Sequence, residues 1–314
     1  MFGDDYPRFI ELSELTSEES DQRSTLERQR TRMNERYEAL FASNRDIFDG
    51  ARVLDLASHD GRYSFAALKT GAAHVTGVEV RQSLIDRAEE AFAFYGQDPE
   101  TYRFVRGDIF EVLAREEFDV DVVLCFGFLY HTYRHTELMY RLDKLAPKHL
   151  IVDTIVTSET QRPTLRMMRE YDAADSRSAA QDPFARGRVL VLRPSLPALQ
   201  LMLDTYGFEI ESLYDWKGRL AGRPHVRGVS RYASGTRVSL RCRSRKAAKA
   251  AGLAPVAPLR LAAGPRPHAG GRERTPTPRP TQPASGWRVR VNKMLAAVTG
   301  YELRRSTRPT SAGQ

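Results

Sequence analysis

The stretch "VLDLASHDGRYS", residues 53–64, decides how the rest of the chain is read. Val53, Leu54 and Leu56 surround one acid, Asp55, and a turn of mostly small residues runs from Ala57 to Gly61 before a helix-like segment. That is the shape of a first strand and its loop in a nucleotide-binding α/β fold. The loop has one glycine, Gly61. A dinucleotide fingerprint needs G-x-G-x-x-G, because the glycines bring the backbone against a pyrophosphate at the helix N-terminus. The missing glycines argue against that cofactor.

Outward from this stretch, strands and helices alternate. Strand-like segments are "ARVLDLA" (51–57), "HVTGVEV" (74–80), "YRFVRGD" (102–108), "FDVDVVLCFG" (118–127) and "HLIVDTIV" (149–156). Helix-like segments lie between them, closed by Gly71 after the first and Gly96 after the second. One helix between successive strands implies right-handed crossovers and a parallel sheet with helices on both faces. A helix from Ser195 to Gly207 follows, then two more strands, "FEIESLYDWKG" and one within "GVSRYASGTRVSLRCR", expected to close the sheet antiparallel. The fold class is α/β: a Rossmann-like, seven-stranded, mostly parallel sheet. The polar segment 157–186 interrupts the alternation beyond the strand ends, where such sheets bind ligands, and reads as a substrate-facing insertion or a surface loop. Four regions result: an N-terminal helical extension (1–49), a catalytic domain (50–245), a Pro/Arg-rich disordered linker (246–285) and a short basic amphipathic helix (286–306). Residues 1 to about 16 are expected to be poorly ordered.

Three acids end three consecutive strands. Asp55 sits near the end of the first, Glu79 ends the second and Asp108 follows the third. A carboxylate inside an apolar strand is costly unless it meets a cation or donors. Glu79 is placed to accept from ribose hydroxyls and Asp108 from an adenine amino group. A cofactor with an amino group, a ribose and an adenine, but no phosphate, fits this set.

The arrangement resembles the class I S-adenosylmethionine-dependent methyltransferases. Their D-x-G-x-G-x-G motif falls here on Asp55-Leu56-Ala57-Ser58-His59-Asp60-Gly61, with Ala57 and His59 at two glycine positions. The resemblance spans about residues 50 to 245. It implies S-adenosylmethionine as cofactor, or its carboxylated derivative, bound by Asp55, Ala57, Ser58, His59, Gly61, Glu79, Asp108, Ile109, Phe126 and Tyr130. The string "GFLYH" (127–131) after the fourth strand also looks like the branch containing wobble-uridine tRNA (carboxy)methyltransferases, where the matching tyrosine lies against the donor. Similar strings occur in enzymes acting on small molecules and glycans.

Methyl transfer to a hydroxyl needs an in-line nucleophile and removal of a proton. His131 and Tyr130 are the catalytic candidates. His131 is either the base or a loop-shaping hydrogen bonder, and Tyr130 either touches the donor or packs. His135 reads as the exposed start of the next helix. Asp153, at the end of the fifth strand, is a further candidate for the substrate face.

The bulk numbers frame these readings. No run approaches the roughly 18 apolar residues of a membrane span, and the acidic N-terminus lacks the apolar core of a signal peptide. The two cysteines, Cys125 and Cys242, have no metal-ligand spacing and suit a reduced, cytoplasmic protein, so no metal is expected. The 314 residues carry a net +8, but 17 Lys and Arg against two acids lie from Thr236 onward, leaving −7 for the preceding part. A basic tail of that kind suits nucleic acid or an anionic membrane surface. The function expected is methylation, with O-methylation of a small-molecule or glycan acceptor set against a tRNA-modifying (carboxy)methyltransferase and a non-catalytic binding protein on a methyltransferase fold.

Overall fold

The computed structural model describes residues 2–11, 19–171, 188–223, 226 and 228–257. Its parallel strands are β1 (Arg52–Leu56), β2 (His74–Glu79), β3 (Tyr102–Arg106), β4 (Val122–Phe126) and β5 (His149–Ile155). Two later strands, β6 (Leu165–Tyr171) and β7 (Arg188–Pro194), pair with each other as an antiparallel ribbon. β8 (Phe208–Leu213) and β9 (Arg237–Ser244) return to the main sheet, whose order is β3-β2-β1-β4-β5-β9-β8. β9 lies antiparallel to both β5 and β8, the expected closure.

The longer helices are α1 (Glu19–Leu40), α2 (Arg62–Thr70), α3 (Gln82–Phe94), α4 (Ile109–Arg115), α5 (His135–Leu145) and α6 (Leu196–Thr205). Two apolar layers cover the sheet. One combines Phe41, Phe48, Phe65 and Phe92 with Val53, Leu124 and Ile151. The other sets Leu138, Leu142 and Leu199 against Leu54, Leu56, Val123 and Val152. Side chains alternate along a strand with period two. Asp55 therefore shares the face of Val53, Phe126 that of Leu124, and Asp153 that of Ile151. The polar groups of the strand ends thus gather on the face covered by α1.

Two sequence readings change. The ribbon β6–β7 replaces the irregular insertion expected over 157–186, although residues 172–187 lie outside the described residues. The first residues are packed rather than poorly ordered. Phe2, Phe9 and Ile10 are buried, the Phe2 and Tyr37 rings stack at 4.9 Å, and Tyr6 meets Phe65 edge-on at 4.9 Å. The aromatic spacing in so short and acidic a segment hid this, since its partners come from α1, α2 and α3.

The basic count from Thr236 also divides. Arg237, Arg241, Arg243, Arg245 and Lys246 pair with Asp153, Glu211, Glu209, Asp204 and Asp143. These five cations are neutralised by the body. The proline-rich segment and the basic helix expected over 286–306 lie outside the described residues.

Candidate active site

The loop after β1 keeps a glycine-loop backbone without the glycines. Ala57, His59 and Gly61 have φ of 54°, 56° and 71°, at the three positions aligned with the motif. The left-handed conformation costs a residue with a Cβ roughly 1–2 kcal/mol, so this chain retains the turn at an energetic cost. Gly61 is held to glycine by space as well as by φ. A Cβ there would lie 2.8 Å from Ala88 Cβ and 3.0 Å from Phe104 Cζ, where α3 and β3 pack on the start of α2. Gly77 plays the matching part on β2, since a Cβ would meet Ser58 Oγ at 2.8 Å. Ser58 Oγ is buried and has no hydrogen-bond partner among the described residues.

Asp55 is 1% exposed and accepts from Ser64 Oγ at 2.7 Å. Burial, with the charge of Glu79 adding to it, pushes its carboxyl up to about 7 despite the Ser64 hydrogen bond. Glu79 is also buried. Its Oε1 accepts from the backbone of Val80 and Arg81 and from Arg81 Nε, all within 3.0–3.1 Å. Its Oε2 accepts from the His59 backbone at 3.1 Å. A carboxylate offers about four acceptor positions. With two lone pairs on each oxygen and one donor on Oε2, Oε2 keeps one acceptor position.

Asp60 is bound by Arg62 at 2.6 Å and approached by His59 Nδ1 at 3.4 Å. Burial opposes its charge, but Arg62 and His59 hold its carboxyl well below the usual range. The imidazole at the second glycine position is therefore turned to this acid. Asp108 caps α4, with Oδ1 accepting from Phe110 and Glu111 at 2.9 and 3.2 Å. Arg134 Nη1 lies 3.8 Å from the same oxygen, and the two cap hydrogen bonds leave Oδ2 unused. Ile109 and Phe126 are buried in the two apolar layers.

The loop after β4 turns at Gly127, with φ 76°, into the short helical turn Leu129–His131. The Tyr130 and His131 rings lie 4.2 Å apart. His131 Nδ1 is 2.6 Å from Glu170 Oε2 on β6, so the ribbon orients the candidate base. Glu170 was not foreseen, because nothing local marks it. His135 is not exposed as expected. It is 1% exposed, and Nε2 meets the Leu129 carbonyl at 2.7 Å, clasping the loop. Burial lowers its pKa and keeps the ring neutral.

Asp153 is not free to act on a substrate. It is fully buried and accepts from Arg36 Nη2 (2.9 Å), Arg237 Nε (2.7 Å), Ser239 Oγ (2.7 Å) and Tyr232 Oη (2.8 Å). Burial alone would raise its carboxyl; Arg237 and Arg36 bring it down to about 2.

With this geometry, residues 53–145 match a family model described as a methyltransferase domain. This stretch is a methyltransferase domain. Curated relatives of this chain include ribosomal RNA large subunit methyltransferase I of Aeromonas salmonicida, 35% identical over 77 residues, which are 23% of this chain and 19% of that protein. The enzyme of the same name from Klebsiella pneumoniae is 34% identical over 87 residues, 26% of this chain and 22% of that one. The matched part thus spans about a fifth of those relatives. Magnesium protoporphyrin IX methyltransferase from Synechocystis PCC 6803 superposes with a TM-score of 0.50 at 15% identity, over 77% of this chain and 94% of that one. This last likeness concerns the fold of the methyltransferase alone.

Proposed function

We propose that the protein transfers a methyl group from S-adenosylmethionine to an oxygen of a small-molecule or glycan acceptor. The observation that carries this reading is the loop 55–61, whose three positive φ angles recreate the motif's backbone beside the buried carboxylates of Asp55 and Glu79. The residues fit the donor. Glu79 Oε2 keeps one acceptor position for a ribose hydroxyl and Asp108 Oδ2 one for an adenine amino group. Asp55 places a titratable carboxyl close to where a cationic amino acid would lie.

The donor supplies a methyl group already activated on a sulfonium. The chain's own work is to orient the acceptor and to accept its proton. His131 is suited to that, because Glu170 engages Nδ1 and leaves Nε2 for the substrate side. The Tyr130 ring, tilted against His131 with centroids 4.2 Å apart, borders the same side.

A nucleic-acid acceptor is the second reading, favoured by the names of the curated relatives. Against it, the cations of β9 and the following turn are already paired with acids of the body. Incubation with labelled donor and, separately, with ribosomal RNA or a pool of hydroxylated small molecules tests the two. Label in the small-molecule fraction supports the first reading, and label confined to RNA replaces it with the second.

A further inference from the structure

One face of α1 carries Arg28, Arg32 and Arg36, spaced four residues apart. Like charges at i, i+4 destabilise a helix, so such a stripe calls for an anion. Its inner end has one. Arg36 is 3% exposed and shares Asp153 with Arg237, 7% exposed. That leaves two buried guanidiniums on a single carboxylate. Arg36 Nε has no hydrogen-bond partner among the described residues. Arg32 is exposed and, among the described residues, no carboxylate pairs with Arg28 or Arg32. Arg32 stands one turn before Arg36 on the same face of α1, so its exposed guanidinium neighbours the buried one.

The cluster adjoins the candidate site on two sides. Arg36 donates to the Tyr63 hydroxyl and lies over its ring at 4.5 Å, and Tyr63 belongs to the first turn of α2, directly after the donor loop. Arg237 Nη1 is 3.4 Å from the Tyr130 hydroxyl, beside His131. The Tyr232 hydroxyl and Ser239 are occupied by Asp153.

We propose that Arg32, Arg36 and Arg237 form the anion subsite of the acceptor pocket, binding a carboxylate or phosphoryl group of the acceptor near the atom that receives the methyl group. The proposal rests on the methyltransferase reading and narrows it to acidic acceptors. Guanidinium groups suit both anions, because their planar donor sets bind two oxygens at once.

The test is calorimetry on the full-length protein saturated with S-adenosylhomocysteine, titrated with inorganic phosphate and, separately, sodium glucuronate at constant ionic strength. Saturable binding of either anion is expected, weakened about fivefold or more in Arg32→Gln and in Arg237→Lys, with S-adenosylhomocysteine affinity within about twofold of wild type. Arg32 is at the surface, so its variant remains informative if Arg237→Lys fails to fold. Absence of saturable anion binding to the loaded protein, or equal binding by wild type and Arg32→Gln, overturns the subsite alone. Competition between the anions and S-adenosylhomocysteine, with its affinity lost in the variants, overturns it in favour of the donor's own carboxylate. Failure of folded wild-type protein to bind S-adenosylhomocysteine overturns the methyltransferase reading and the subsite with it.

Discussion

The backbone N–H of His59 donates to Glu79 Oε2 at 3.1 Å and so ties the loop after β1 to the end of β2. The tie uses no part of the imidazole. His59→Gly should therefore preserve it and relieve the left-handed strain. We expect donor affinity within about threefold of wild type and a stability gain of up to about 1 kcal/mol, since relief of roughly 1–2 kcal/mol is offset by unfolded-chain entropy. Chemical denaturation and calorimetry measure both; a tenfold loss of affinity would show that the imidazole itself holds the donor.

Gly61→Ala should act in the opposite direction. The new methyl group meets Ala88 and Phe104 at a positive φ. Overpacking and backbone strain together should cost about 2–4 kcal/mol, read as a lower denaturation midpoint. A neutral result would mean that α2 and α3 pack less tightly than described.

Asp55 makes stability depend on pH. Its folded pKa of about 7 exceeds the ordinary aspartate value of 3.8, chiefly through burial. Its stabilising contribution is fully present below the unfolded pKa and is lost as pH rises through the folded value. Unliganded protein should thus lose stability between about pH 4 and pH 7, by at most about 4 kcal/mol. Asp55→Asn should flatten that decline, gaining most at pH 8 and little at pH 4. Denaturation curves across this range check the sign, and an unchanged slope in the variant would clear Asp55 of the effect. If Asp55 holds the donor as proposed, the same substitution should lower donor affinity while stability at pH 8 rises.

The pair His131–Glu170 should appear in turnover. His131→Ala is expected to lower kcat about 10²-fold or more at unchanged donor affinity. Glu170→Ala should lower it less, because the base remains but loses its orienting partner. Wild-type turnover in His131→Ala would return the histidine to a loop-shaping role.

Local signals made most of the fold legible. Strands β1–β5 and their helices follow from short hydrophobic runs broken by glycine, and Asp55, Glu79 and Asp108 stand out because acids end apolar strands. The arginine–aspartate cluster was hidden, because Arg36, Asp153 and Arg237 are far apart in sequence and each is ordinary alone. Only the four-residue spacing of Arg28, Arg32 and Arg36 gave a hint, and it reads equally as a solvated helix face. Glu170 and the ribbon were hidden for a related reason: β6 alternates Arg166, Met168 and Glu170 with Leu165, Met167 and Arg169, a pattern that does not separate apolar from polar faces. His135 was misjudged because a histidine beginning a helix is usually solvated, and the carbonyl that buries it belongs to Leu129 in the preceding loop.

The most direct test of the account is calorimetric titration of purified wild-type protein and Glu79→Ala with S-adenosylhomocysteine. The loop and Glu79 together predict a single site per chain in the wild type and at least about a tenfold loss in the variant, the scale of one lost charge-assisted hydrogen bond and the loosened loop. No binding to folded wild-type protein at millimolar ligand, or equal affinity in the variant, would contradict it.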